Sequence, residues 1–270
     1  MVTTNKIAQQ FSIRLGNILF RNFFPLYNIL YPRFKNRQDA EEIEFLSKTI
    51  KPGDTILDIG ANIGFYSKIL AGLTGPAGKV YCFEPDSVNF SHLLHNTKAI
   101  GNTKAISTSK THGTIIPINK AVAETTKTLK LYTSKLLNVD HRTYKVDNFE
   151  NEISIPATSI DDFVSSSGNV KVDFIKMDIQ GFELSALKGM VNTLRANPEI
   201  KLLTELWPYG LRKAGTSCAE FIQFIQAQQF QVFEMKGETP IPFSIQRTTE
   251  IENAEFEFGI NIFIRGGKNQ

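Results

Sequence analysis

Four acids in this chain of 270 residues each close an apolar run: Asp58 ends TILD, Glu84 ends KVYCFE, Asp178 ends VDFIKMD and Glu205 ends KLLTE. Short apolar runs of this kind suit buried strands, and open α/β sheets bind their ligands beyond the strands' carboxyl ends. A carboxylate placed there can hold ribose hydroxyls, face a cationic ligand or take a proton from a hydroxyl. Asp58 also opens DIGANIGFYS, where Gly60 and Gly64 bracket Asn62 in a loop that runs into a helix. A phosphate-cradling loop would need Gly-Lys-Ser/Thr, which is absent. A dinucleotide loop would need a glycine where Asn62 stands, so that backbone could approach a pyrophosphate. The ligand left is one with an adenosine end and no phosphate, S-adenosylmethionine. Its amino-acid end would lie on the loop and Asp58, and its ribose on Glu84. The bland alternative is a tight strand-to-helix turn followed by a solvated strand end.

Transfer of a methyl group to a hydroxyl needs an aligned oxygen and a place for its proton. Three residues are candidate bases: Asp178, Glu205 and His141, the last in VDHRTY. Each has a structural alternative. Asp178 could orient the cofactor or cap a helix opening at Phe182, Glu205 could bond the turn through Trp207-Pro208, and His141 could simply be solvated. A metal shared by Asp178 and Glu205 lacks a neighbouring His or Cys, and His92 with His95 lacks a third ligand. Trp207, the only tryptophan, is either a wall for a sugar face or core.

The elements that must position these residues alternate. After TILDI come the helical GFYSKILAGL, the strand KVYCFEP, the helical SVNFSHLLHNTKAI and a third strand, GTIIPINKAVA. Residues 125–156 switch to short alternating runs, which predicts a small antiparallel excursion able to wall the site. Then come VDFIKMDI, the helix ELSALKGMVNTLRA, KLLTELWP, a helix capped by Ser217 and Glu220, and the closing strands FQVFEM and GINIFIRG joined by a polar connection over 237–252. The fold class is α/β: a Rossmann-like, mostly parallel sheet with helices on both faces. Residues 51–270 form one domain, and residues 1–50 a basic, aromatic helical lead.

DIGANIGFYS, FEPD, IDDFV, VDFIKMDIQGFELSALKG and LLTELWP occur in the order seen in FkbM-type methyltransferases, which the chain resembles from about Gly53 to Gly210. The resemblance implies a class I, S-adenosylmethionine-dependent enzyme that methylates a hydroxyl of a sugar, glycan or natural product. It places Asp58, Gly60, Asn62 and Gly64 at the cofactor's methionine end, Glu84 at its ribose, and Asn119 and Ala121 near its adenine. Gln180 stands where that family often has a glutamate. A non-catalytic binding protein with the same fold is the alternative, followed by an NAD-dependent oxidoreductase.

Composition narrows partners further. A net charge of +3 is too weak to imply nucleic acid. The Pro-Pro-aromatic run of amino-methylating nucleic-acid enzymes is missing after the central strand, and Cys82 lies inside a strand rather than on the working edge. A small-molecule or glycan acceptor is expected. Two cysteines without a framework suit a reducing compartment, hence a cytoplasmic protein. Residues 1–38 carry Lys6, Arg14, Arg21, Arg33, Lys35 and Arg37 and no acid. Phe11, Leu15, Ile18, Leu19 and Phe23 share one helical face. That segment reads as a helix packed on the domain, a helix on an anionic membrane surface, or a transit peptide. Its removal is expected to leave cofactor binding intact, since the first strand begins near Thr55.

Overall fold

The computed structural model describes residues 16–98, 111–134, 141–145 and 149–267. Phe11, Arg14 and Leu15 lie outside them. The described chain enters through α1, seen over residues 16–22, then α2 (Phe24–Gln38) and α3 (Ala40–Thr49). Pro25 sits in the first turn of α2, where a missing N–H costs nothing. Glu41 and Glu42 fall in the first turn of α3, favourable to its dipole.

Alternation then sets in: β1 (Thr55–Ile59), α4 (Phe65–Thr74), β2 (Lys79–Phe83), α5 (Ser87–Thr97) and β3 (Thr114–Ile118). GTIIPINKAVA is not one strand. After β3 the chain turns, and Ala121–Val122 (β4) joins β5 (Lys127–Ser134) and β6 (Phe149–Thr158) in a separate three-stranded sheet. That sheet is the expected excursion, with β5 and β6 antiparallel and β4 parallel to β6.

The chain returns through α6 (Ile160–Ser166), β7 (Phe174–Met177), α7 (Glu183–Lys188), α8 (Val191–Ala196) and β8 (Lys201–Leu206). The single helix expected over ELSALKGMVNTLRA is interrupted between Lys188 and Val191, and at Gly189 the Ala123 carbonyl oxygen lies where a Cβ would stand, so glycine is what fits there. The last elements are α9 (Pro208–Lys213), α10 (Cys218–Ala227), β9 (Phe230–Lys236), β10 (Thr239–Pro242), α11 (Gln246–Ile251) and β11 (Ile260–Gly266). The Ser217–Glu220 capping box opens α10 as expected. The polar connection does more than expected, since it holds both β10 and α11.

The main sheet has the order β10-β9-β11-β8-β7-β1-β2-β3. Strands β3, β2, β1, β7 and β8 are parallel, and β11, β9 and β10 close one side antiparallel. Period-two alternation sends Leu57 and Ile59 to the face covered by α6–α10, with Phe221 and Leu187. Ile56 goes to the other face, with Leu46, Leu70 and Leu93 from α3, α4 and α5. Among the described residues, no helix is long and apolar enough to cross a membrane.

Candidate active site

The chain leaves β1 for β2 and β3 on one side, and β7 and β8 fill the other. Strand order therefore reverses between β1 and β7, the position at which open sheets hold ligands. A cavity of about 680 Å³ opens there, beyond the carboxyl ends of β1, β2 and β7.

Gly60, Asn62 and Gly64 all adopt left-handed backbone, with φ of 88°, 49° and 85°. At Gly60 any Cβ would strike the Asp178 carbonyl oxygen, so glycine is what lets the ends of β1 and β7 close together. Asn62 tolerates its conformation as few residues do, and its side-chain oxygen accepts the Ile63 N–H at 2.7 Å. Gly60 and Asn62 line the cavity, whereas Gly64 packs against Leu93 and Thr97 as the cap of α4.

Glu84 lies on the wall, 5% exposed. Its two oxygens accept the Asn62 N–H at 2.8 Å and the Asp86 N–H at 2.9 Å. Burial pushes its carboxyl up to about 8, with those two N–H bonds offsetting only part of the effect. Asn119 stands behind this strand end and donates to the carbonyls of Glu84 and Pro85 at 2.8 and 3.2 Å. Its neighbour Ala121 is on the wall.

The Asp58 side chain points away from the cavity, to the α3–α4 face, where it is buried and accepts the Ser67 hydroxyl at 2.6 Å. Burial raises its pKa, and the Lys176 charge beside it pulls the other way. Asp58 and Lys176 are register partners on β1 and β7. Lys176 is the residue that sequence reasoning missed. It lines the cavity, with its ammonium 4.0 Å from the Tyr66 ring centroid and 3.6 Å from Glu42 Oε1. Burial alone would lower its pKa, but Glu42, Asp178, Asp58 and Asp39 together raise it, so the amine stays charged. Tyr66 in turn donates to Asp39 Oδ2 at 2.7 Å, and Asp39 pairs with Lys35. A lysine inside FIKM was the available signal, because a buried lysine must be paired.

Asp178 and His141 both reach the cavity. Gln180, held at φ 56°, donates to Asp178 Oδ1 at 2.8 Å. His141 Nδ1 accepts the Ser134 N–H at 3.2 Å. Next to it Arg142 bridges to Tyr132 through backbone and lays its guanidinium 5.0 Å from the Trp207 ring centroid and 5.6 Å from that of Phe256. Tyr144 donates to the Gln180 carbonyl at 2.9 Å. Residues 141–145 thus strap one side of the cavity. Thr143, also on the wall, has a buried hydroxyl with no hydrogen-bond partner among the described residues.

Glu205 is not on this wall. It packs against Gly259, and burial followed by the charges of Asp178 and Glu183 pushes it up to about 8. Glu183 is similar, buried and pushed up to about 7 first by burial. Trp207 is 5% exposed and donates its indole N–H to the Phe256 carbonyl at 2.8 Å, so it belongs to the core, and of these two rings it is Phe256 that meets the cavity. The largest surprise is the opposite wall. Tyr27, Leu30, Tyr31, Phe34, Lys35 and Gln38 of α2 all contribute to it, which argues against residues 1–38 being dispensable for binding.

Residues 58–232 match the model of the methyltransferase FkbM domain. The chain belongs to the FkbM methyltransferase family. Hexuronic acid methyltransferase AglP of Haloferax volcanii is 27% identical over 160 residues, 59% of each protein. The 2-O-methyltransferase NoeI of Sinorhizobium fredii is 28% identical over 154 residues, 56% of this chain and 63% of that protein. The chain therefore spans about three-fifths of the length of these curated relatives. The crystal structure of a putative rRNA methylase from Clostridium thermocellum superposes with a TM-score of 0.50 at 12% identity, over 86% of this chain and 96% of that one. What it shares with this chain is the fold.

Proposed function

We propose that this protein is an S-adenosylmethionine-dependent O-methyltransferase acting on a hydroxyl of a glycan or a small sugar-like molecule. The observation that carries the reading is the single cavity wall on which Gly60, Asn62, Glu84 and Asp178 converge at the sheet's switch point. The donor set fits the cofactor. Left-handed loop backbone and a carboxyl at the end of β2 suit the amino-acid and ribose ends of an adenosine ligand, with Asp178 on the same wall. When bound, S-adenosylmethionine supplies an activated methyl group that passes to the acceptor oxygen as its carbon–sulfur bond breaks.

The chain's own residues then have distinct tasks. Glu84 fixes the loop through the Asn62 N–H and presents its remaining lone pairs to ribose hydroxyls. Asp178, steadied by Gln180, takes the proton that the acceptor hydroxyl loses. His141 and Thr143 orient the acceptor from the strap. Glu205, whose carboxyl burial pushes up and which lies off the wall, serves packing rather than proton transfer. The acceptor class rests on the relatives, whose names specify a hexuronic acid and a 2-O position.

The test is calorimetric titration with S-adenosylhomocysteine, followed by single-turnover methyl transfer to a panel of glycans. Asp178→Asn should lower turnover by roughly 10²–10⁴ with cofactor affinity near wild type. Loss of cofactor binding in that variant with turnover intact in Glu205→Gln and absent in His141→Asn would move the base to His141.

A further inference from the structure

The outer face of α1 and α2 is apolar, basic and open. Among the described residues, six of the ten large apolar side chains that stand exposed lie on this one segment: Ile18, Phe23, Leu26, Ile29, Leu30 and Phe34, at 42–60% exposure. The inner face of α2 is occupied by the domain. Tyr27 is buried, Phe24 stacks on His92 at 3.4 Å, and Tyr31 meets Phe65 edge-on at 6.0 Å. At about 100° per residue, Leu26, Ile29, Leu30, Arg33 and Arg37 project on the opposite side. A helix that is apolar on both faces is ordinarily covered on both.

Two further observations say what covers it. Arg33 and Arg37 stand exposed on this face, and residues 16–38 contain no acid, so the face complements a negatively charged surface. A second copy would instead set Arg33 and Arg37 against themselves across a two-fold axis, at an electrostatic cost. Leu30 and Phe34 are also both exposed and part of the cavity wall, so the cavity mouth opens onto this face. Leucine, isoleucine and phenylalanine interleaved with arginine suit the boundary between headgroups and acyl chains.

We propose that the outer face of α1–α2 docks on the surface of a bilayer containing anionic lipid and holds the cavity mouth against the headgroup layer. Docking does not depend on the methyl-transfer reading. Its consequence does: an acceptor hydroxyl carried by a lipid reaches Asp178 without leaving the membrane surface.

The experiment pellets the full chain with vesicles of phosphatidylcholine alone or with phosphatidylglycerol added. Binding is expected only to the anionic vesicles, with release at high salt. Leu26→Glu/Ile29→Glu, both positions off the cavity wall, should lower partitioning by roughly tenfold or more. Its unfolding midpoint and S-adenosylhomocysteine affinity should stay unchanged, which separates lost docking from misfolding. If that variant unfolds, Arg33→Glu/Arg37→Glu decides the matter through a loss of similar size. A full chain that stays in the supernatant at low salt overturns the proposal, and so do folded variants that pellet like wild type. A dimer in the absence of lipid that Leu26→Glu/Ile29→Glu dissociates would assign the face to a second copy and also overturn it.

Discussion

Gln180 turns a potentially repulsive neighbour of Asp178 into a donor. A glutamate in its place would set a second negative charge within hydrogen-bond range of a carboxylate that must be ionised to accept a proton. Gln180→Glu should therefore move the acidic limb of the pH–rate profile upward, with little change in the basic limb, as read from turnover at saturating cofactor. Glu84 has a double task. Glu84→Ala should weaken S-adenosylhomocysteine in calorimetry, and it should also lower stability by about 1–3 kcal/mol, since the Asn62 and Asp86 N–H groups lose their buried acceptors. From sequence alone Glu84 reads purely as a ligand residue, because a run such as KVYCFE shows the strand end but not which backbone amides will face it. Glu205 gives a pH signature. Its folded-state value of about 8 lies above its ordinary 4.5. Its contribution to stability is therefore full below about pH 4.5 and fades as pH rises through about 8. Between about pH 5 and about pH 8, urea midpoints of wild type should fall relative to those of Glu205→Gln. Parallel midpoints would show that Glu205 ionises freely in the fold.

At the scale of elements, the strap over 141–145 is fastened by the Arg142 backbone bridge to Tyr132, its guanidinium over Trp207 and Phe256, the Ser134 N–H on His141 and the Tyr144 hydroxyl on Gln180, among other contacts. Arg142→Ala should release it at a cost of about 0.5–2 kcal/mol locally. Amide exchange in β5 should then quicken while that in β1 and β7 stays slow. The alternation of β1, α4, β2 and α5 was legible because each strand is a short apolar run and each helix has a matching period. The split between β3 and β4 and the interruption at Gly189 were not, because what packs there comes from elsewhere in the sequence, as the Ala123 carbonyl oxygen does against Gly189. The same limit hid the place of α2 on the cavity wall. Its residues are apolar on two faces, and periodicity cannot tell which of two apolar faces meets the domain.

For the molecule as a whole, the N-terminal helices and the sheet share one buried charge network. Lys176 faces Asp58 on its own sheet and Glu42 on α3. Lys176→Met should destabilise the fold by about 3–5 kcal/mol, because it leaves buried carboxylates without their cation; Met fills much of the same volume, so a urea midpoint isolates the charge effect. Removal of residues 1–38 should lower both thermal stability and S-adenosylhomocysteine affinity, since it strips Tyr27, Tyr31 and Phe34 from the cavity wall. Unchanged affinity would return that segment to a detachable role. The Glu42–Lys176 pair also imposes an order on biosynthesis. The two residues are 134 positions apart (176 − 42). At about 5–20 residues per second, a ribosome takes roughly 7–27 s to pass from one to the other. Throughout that interval Glu42 lacks the ammonium it meets in the finished fold, so the seating of α3 is completed only after β7 has emerged.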